Sequence, residues 1–430
     1  MRGKRELPRK RPPILLFVLI FAAGFLAGTL FWHFHPSGTS VPSGGTVTLP
    51  DGPVGTDVSS EPEIPPAPPQ MEELSAEPTP FVISFLGDCT LTSSHHTNHF
   101  EKLVEDDYAY PFSNVAELLL ADDLTLANLE CSFSSRRLES DSEYAFCGDP
   151  NYVQALVLGG VEAVTLSNNH TRDFGDAGLR DTEAALAEYG VAGIPGNQGQ
   201  CFELRHDNGD TLRLGAYVHP FNGSAKQMED GCKRLRDEGA DIIVAFMHAG
   251  AEKTYVPTKR QTALAHAAVK GGADVVVGTH PHVLQPIEAY QGSVILYSIG
   301  NFCFGGNRKA YQENKNRTPA VQDAAPALML RAVLTFDDDG TYKGQQITLY
   351  PVQTTGIDRA AGDTVQVNNY QPKFITGPLA AHVLHLMQID MNYDASKTPK
   401  YSNAESINKT LRALVMAREE ELAAMDSSEG

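Results

Sequence analysis

Basic residues are scarce in this chain, and the scarcity is uneven. Lysine and arginine total 34 against 53 aspartates and glutamates over 430 residues. Six of those bases (Arg2, Lys4, Arg5, Arg9, Lys10, Arg11) and one acid, Glu6, fall in residues 1–13, leaving 28 bases against 52 acids and a net charge of −24 over residues 14–430. A body so charged repels a phosphate backbone, which excludes nucleic acid as a partner. Internal repeats are absent as well. Cysteine is sparse, with six residues. Cys89, Cys131 and Cys303 each follow a chemically suggestive segment, whereas Cys147, Cys201 and Cys232 fall in expected loops or helices. Burial or disulfide pairing accounts for such cysteines, and Cys131 with Cys147 is the nearest pair in sequence. Thiolate ligation to a neighbouring metal is the sharper alternative.

Long apolar runs are also few. The one matched to a bilayer is Ile14–Trp32, nineteen residues without a charge, about the length of a helix crossing a ~30 Å hydrocarbon core. With bases before the span and acids after it, residues 1–13 are expected in the cytoplasm, residues 14–32 as a transmembrane signal anchor, and the rest outside the cell membrane. A cleaved signal peptide is the competing reading, and it exports the body as well. Residues 33–79, with ten prolines from Pro36 to Pro78 among Gly, Ser, Thr and acids, read as a disordered, semi-extended linker.

From Phe81 the pattern is that of an α/β domain. Apolar, β-rich runs cover Phe81–Leu86, Leu124–Ala127, Val161–Leu166, Leu212–Val218, Ile242–Phe246, Val275–Val277 and Val294–Tyr297. Helix-period stretches lie between them at Asn114–Leu120, Ala177–Tyr189 and Thr258–Lys270. Leu328–Phe336 and Gln345–Tyr350 read as an antiparallel hairpin closing the domain, which is expected to span residues 80–355. Residues 356–430 form a C-terminal extension with a helical stretch at Ile407–Met425.

Five segments place metal-type ligands just past expected strands: Gly87-Asp88, Asn128-Leu129-Glu130, Asn168-Asn169-His170, His248-Ala249-Gly250 and His280-Pro281-His282. The carboxyl ends of strands are where an open α/β sheet gathers ligands. Each segment alone has a bland reading as a turn, a helix cap or a core histidine. Together they point to a metal-dependent hydrolase. Asn169 supplies a neutral oxygen beside the His170 imidazole, a group able to transfer protons. Asp173 is placed to hold that imidazole in a productive tautomer. Two imidazoles at i and i+2, His280 and His282, can address one or two ions, with Gln285 as a supporting partner.

In this order, with Asp173-x-Gly175, His248-x-Gly250-x-Glu252, Gly278-x-His280-Pro281-His282-Val283-Leu284-Gln285 and Ser298-Ile299-Gly300-Asn301-Phe302, the motifs resemble the CapA capsule-biosynthesis family, associated with poly-γ-glutamate. The resemblance covers Phe81 to Phe304. That family is similar in turn to calcineurin-like metallophosphoesterases, whose fold is a two-sheet α/β sandwich, flanked by helices, around a dinuclear metal centre. The resemblance implies Asp88, Glu130, Asn169, His248, His280 and His282 as ligands of one or two divalent ions (Mn, Zn or Fe). It implies His170 as proton donor to a leaving group, with a metal-activated water as nucleophile. Expected partners are an anionic surface polymer such as poly-γ-glutamate and other membrane capsule-synthesis proteins. Two departures stand out. Asp88 is followed by Cys89-Thr90 where the phosphoesterases have Asp-x-His, and Glu130 stands where they carry a bridging Asp. A second reading therefore stays open, a non-catalytic polymer-binding component of a synthesis and export complex.

Overall fold

The computed structural model describes residues 80–93, 99–136, 139–140, 144–305, 326–336, 342–356, 367–375, 379–380 and 383–384. The anchor expected at Ile14–Trp32, the Pro-rich segment and the helix expected at Ile407–Met425 lie outside these residues. Among the described residues, no helix is long and apolar enough to cross a membrane.

Two sheets of a mixed α/β fold account for most of the strands. In the first, β1 (Phe81–Cys89), β2 (Leu124–Leu129), β5 (Ala163–Leu166) and β6 (Ala192–Pro195) run parallel as neighbours. β14 (Pro326–Phe336), β15 (Tyr342–Gly356) and β16 (Val367–Phe374) extend the other side of β1 as an antiparallel meander. β16 thus continues the sheet beyond residue 355, where the sequence pattern ends the domain. The short β13 (Asn301–Cys303) pairs in parallel with the end of β1. In the second sheet, β8 (Thr211–Val218), β9 (Ile242–His248), β10 (Val275–Thr279) and β12 (Ser293–Ile299) are parallel neighbours. β7 (Gln198–Arg205) and β11 (Leu284–Tyr290) form its antiparallel edges. β3 (Ser132–Phe133) and β4 (Cys147–Gly148) make a separate small ladder.

Strand alternation distributes the apolar residues over three cores. Phe81, Ile83 and Phe85 of β1 and Leu328, Leu330 and Leu334 of β14 meet Leu212 and Leu214 of β8, Val244 and Phe246 of β9 and Val275 and Val277 of β10 between the sheets. The opposite faces are covered by helices. Leu86, Ala127, Val164 and Met329 pack with α2 (Ala116–Leu119), α3 (Val153–Leu158) and α4 (Gly175–Tyr189). Ile243, Ala245, Val276 and Ile295 pack with α5 (Ala225–Asp237) and α6 (Lys259–Lys270). The remaining described helix, α1 (His99–Val104), adds Phe100 and Val104 to the core of the first sheet. Full burial of each large side chain contributes about 1.5–3 kcal/mol, so the parallel strands at the centre carry much of the burial among the described residues.

Two helices are fixed at their starts by reciprocal caps, Ser224 with Gln227 for α5 and Thr258 with Gln261 for α6. Strands β1, β2, β5, β9 and β10 all present their carboxyl ends at one end of the paired sheets, where the ligand-type side chains gather.

Candidate metal centre

Asp88 lies near the end of β1 because its neighbour is a glycine. A Cβ on Gly87 would stand 2.0 Å from the Gly300 carbonyl oxygen, to which the Asp88 amide donates at 3.1 Å. Only a bare Cα lets β1 and the β12–β13 junction come this close. The Asp88 carboxylate is fully buried. It accepts from Asn128 Nδ2 at 2.7 Å and from the His280 amide at 3.2 Å, and lies 3.3 Å from His282 Nδ1.

Glu130, the residue after β2, is equally buried, and neither of its carboxylate oxygens has a hydrogen-bond partner. Around Oε1 stand three imidazoles: His248 Nε2 at 3.5 Å, His170 Nε2 at 3.9 Å and His282 Nε2 at 3.9 Å. His248, the last residue of β9, connects the two sheets. Its Nε2 is 2.7 Å from Asn169 Oδ1 and 3.1 Å from His280 Nδ1, and its Nδ1 is 2.9 Å from Thr279 Oγ1. His282 Nδ1 is 2.7 Å from Asn301 Oδ1 on β13. Phe146 meets the His170 ring edge-on at 4.7 Å, Phe221 lies 5.9 Å from His248, and Phe304 lies 4.8 Å from His282. These rings keep the local dielectric low and strengthen every charge interaction in the cluster.

The electrostatics are those of a site rich in acceptors. Burial and the charge of Asp88 push the Glu130 carboxyl well above its ordinary range. Burial pushes Asp88 the same way, but its hydrogen bond with His282 and the charges of His248 and His282 outweigh that and hold it below the carboxylate range. His282 is driven up to about 10 because Glu130 and Asp88 together overcome its burial. His248 falls to about 3 through burial, against the pull of Asp88. His280 also falls to about 3, from burial and its two imidazole neighbours. Asp88 and His282 thus favour opposite charges, while burial works against charge on Glu130, His248 and His280.

The donor chemistry fits a divalent cation. Glu130, His248 and His280 form one triad and Asp88, Glu130 and His282 a second, the donor atoms of each within 4.8 Å of one another. Glu130 belongs to both. A buried carboxylate with no hydrogen bond and imidazoles on several sides is the pattern a bridging ligand leaves. Asn169 offers its oxygen next to His248. Thr90 takes the place of the second imidazole that an Asp-x-His motif would supply, and its buried hydroxyl has no hydrogen-bond partner.

His170 sits at the edge of this cluster. Its Nδ1 is 2.8 Å from Asp173 Oδ2, which also accepts from the Phe146 amide at 3.1 Å. Burial disfavours its charged form, but the Asp173 hydrogen bond and Glu130 prevail, so the imidazole holds its proton above the ordinary histidine range. All eight residues singled out in the sequence (Asp88, Glu130, Asn169, His170, Asp173, His248, His280 and His282) therefore converge.

The model of the family described as bacterial capsule synthesis protein PGA_cap matches residues 82–306. The chain belongs to that family. Two of its relatives are the PGA biosynthesis protein CapA of Bacillus subtilis, 30% identical over 51% of this chain and 62% of the relative, and the capsule biosynthesis protein CapA of Bacillus anthracis, 29% identical over 45% of this chain and 54% of the relative. The chain thus spans less than two thirds of either relative's length. The PGA_cap match contains every residue of the cluster and the thirteen strands from β1 through β13, short only of Phe81.

Within this PGA_cap domain, several supporting residues were not assigned from the sequence. Asn128 joins Asp88 to Thr165 and Asn168, its Oδ1 accepting from Thr165 Oγ1 at 2.8 Å and from Asn168 Nδ2 at 3.2 Å. Asn168 Oδ1 accepts from the His170 amide at 3.0 Å and so fixes the turn that carries His170. Thr279 and Asn301 orient His248 and His282. Amides and hydroxyls beside acids and imidazoles are the available signal, visible for Asn128 and Asn168 inside the motifs themselves. Gln285 supports a loop: it accepts from Gln261 Nε2 at 2.7 Å and donates to the Thr254 carbonyl at 2.6 Å.

The cysteines have no part in ligation. All six are free thiols, Cys131 and Cys147 included. Cys89, Cys131 and Cys303 point away from the carboxylates into the core beneath the first sheet, and burial pushes Cys89 up to about 12 and the other two well above the ordinary thiol range. Strand alternation explains this for Cys89, which follows Asp88 in β1 and so takes the opposite face.

Proposed function

We propose that this PGA_cap protein is a metal-dependent hydrolase of capsule or poly-γ-glutamate synthesis, anchored in the cell membrane by Ile14–Trp32 with its folded domain outside. The observation that carries this reading is the Glu130 carboxylate, buried without a hydrogen bond at the meeting point of two donor triads. Asp88, Glu130 and His282 would hold one ion, and Glu130, Asn169, His248 and His280 a second, of the Mn, Zn or Fe kind. Such an ion, when bound, supplies positive charge for a developing oxyanion and lowers the pKa of a water at its open position.

The protein's own groups perform the rest. Asp173 at His170 Nδ1 favours the doubly protonated ring, so that Nε2, directed at the cluster, carries a proton to give to a leaving group. Thr279 and Asn301 hold His248 and His282 in orientation. The bond cut is a phosphate ester or a γ-glutamyl or peptide-type amide of an anionic surface polymer, both of which develop negative oxygen in the transition state. Other membrane proteins of capsule synthesis are the expected company.

The test combines metal analysis with one substitution. The purified chain is expected to hold Mn, Zn or Fe, and His170→Ala to slow metal-dependent cleavage of a generic phosphodiester or of poly-γ-glutamate by roughly 10²–10⁴-fold. A chain that holds none of these metals, in cells whose surface polymer is unchanged by His170→Ala, sinks the hydrolase. Bound metal with no cleavage of either substrate assigns the cleft to polymer binding.

A further inference from the structure

The motif His248-x-Gly250-x-Glu252 leaves its last residue without a task. Glu252 is exposed, yet its carboxylate lies within 4.8 Å of donor atoms of His280 and His282. Backbone hydrogen bonds bring the residue to this place. The Ala249 amide donates to the Thr279 carbonyl at 3.1 Å and the Lys253 amide to the Pro281 carbonyl at 2.8 Å, so the chain on both sides of Glu252 is joined to the turn bearing the two imidazoles. Behind it, Gln285 holds the Thr254 carbonyl and is itself held by Gln261. Gly250, at φ 134°, passes where a Cβ would meet Gln261 Oε1 at 2.7 Å.

The turn itself is strained. His280 has φ 97° and His282 φ 56°, backbone that residues other than glycine adopt only rarely. Two such residues flanking Pro281 persist only where the surroundings over-determine them. Their effect is to aim both rings at the acids, Asp88 and Glu130 on the inner side and Glu252 on the outer.

Two imidazoles and one carboxylate form a donor set that leaves the other positions of a divalent ion open. His280 and His282 also belong to the two inner triads, and a neutral imidazole offers one lone pair, so outer and inner positions compete for the same rings. We propose that Glu252, His280 and His282 form an outer cation-capture position, from which a divalent ion passes inward to Glu130. The inference rests on the reading of the cleft as a metal centre. The direction of transfer follows from solvation. Glu252 keeps its water, whereas Glu130 is buried with both oxygens unpartnered and gains more from a cation. His282, at 14% side-chain exposure against 0% for Asp88 and Glu130, lies between the exposed Glu252 and the buried acids.

The experiment is Mn²⁺ uptake by the metal-depleted full chain, read as loss of the free-ion EPR signal after rapid mixing. Glu252→Gln is expected to load roughly tenfold more slowly, the scale of local electrostatic steering, and to reach the wild-type metal content. Glu130→Gln should keep the rapid phase and lose the tightly held ion. Asp207→Asn removes the same charge from the exposed turn between β7 and β8, at the far end of the sheet, and should load like wild type. Loading of Glu252→Gln at the wild-type rate overturns the capture position while the metal centre stands. Equal slowing by Asp207→Asn overturns it too, reducing the effect to net charge. Failure of the wild-type chain to take up Mn²⁺ at all removes the metal-centre reading and this inference together.

Discussion

Both oxygens of Glu130 are buried without a hydrogen bond, while Asp88 on the adjacent strand is supplied by Asn128 and the His280 amide. The asymmetry gives Glu130→Gln two opposite effects. In the metal-free chain it removes a buried acid whose ionisation both burial and Asp88 oppose, so the thermal midpoint should rise. With Mn²⁺ at a hundred times its Kd, wild type should gain about 2.7 kcal/mol and the variant far less. Thermal melts with and without the ion check both halves, and a variant stabilised by Mn²⁺ as strongly as wild type would remove Glu130 from the donor set. At this scale the sequence was informative about acids and imidazoles and much less so about their supports. Asp88, Glu130 and the histidines announce themselves as chemistry. Thr279 looks like an ordinary strand-end residue, and Asn301 has a motif but no role, until the fold brings them within 2.9 Å and 2.7 Å of their imidazoles.

Among the elements, the crossing of β1 and the β12–β13 junction sets where Asp88 stands. Gly87→Ala places a methyl 2.0 Å from a carbonyl oxygen, backbone that cannot turn aside. The expected cost is about 1–3 kcal/mol, seen as a lower urea midpoint, accompanied by weaker metal retention because Asp88 moves with the strand. An unchanged midpoint would mean that the two backbones are free to separate. Elements buried on both sides were legible as apolar runs, which is why β1, β2, β5, β8, β9, β10 and β12 lie where the pattern puts them. β7 escaped because an edge strand exposes alternate residues and carries Gln198, Gln200, Glu203 and Arg205. β13 is three residues long, too short for any period. α5 is polar over most of its surface, and only Met228, Gly231, Cys232 and Leu235 are buried. Its cap, Ser224 with Gln227, was the sign available in the sequence.

For the whole molecule, a basic head, an apolar span and an acidic body define a topology that a reporter can test. A reporter active only outside the cytoplasm, fused after Pro80, is expected to be active, and a stable but silent fusion would place the body inside. The body's net charge of −24 over residues 14–430 also sets a condition on any anionic substrate, which must approach through cations held at the cleft. One feature of the fold offers a clock for the opening of that cleft. Cys89, Cys131 and Cys303 lie directly behind the strand ends that carry Asp88 and Glu130, at most 2% exposed, and their thiols resist ionisation. A thiol reagent can reach them only when those strand ends part from the core. Its reaction rate therefore counts excursions of the ligand scaffold itself, molecule by molecule, and the slowing of that rate on adding a cation measures how firmly the ion ties the two sheets together.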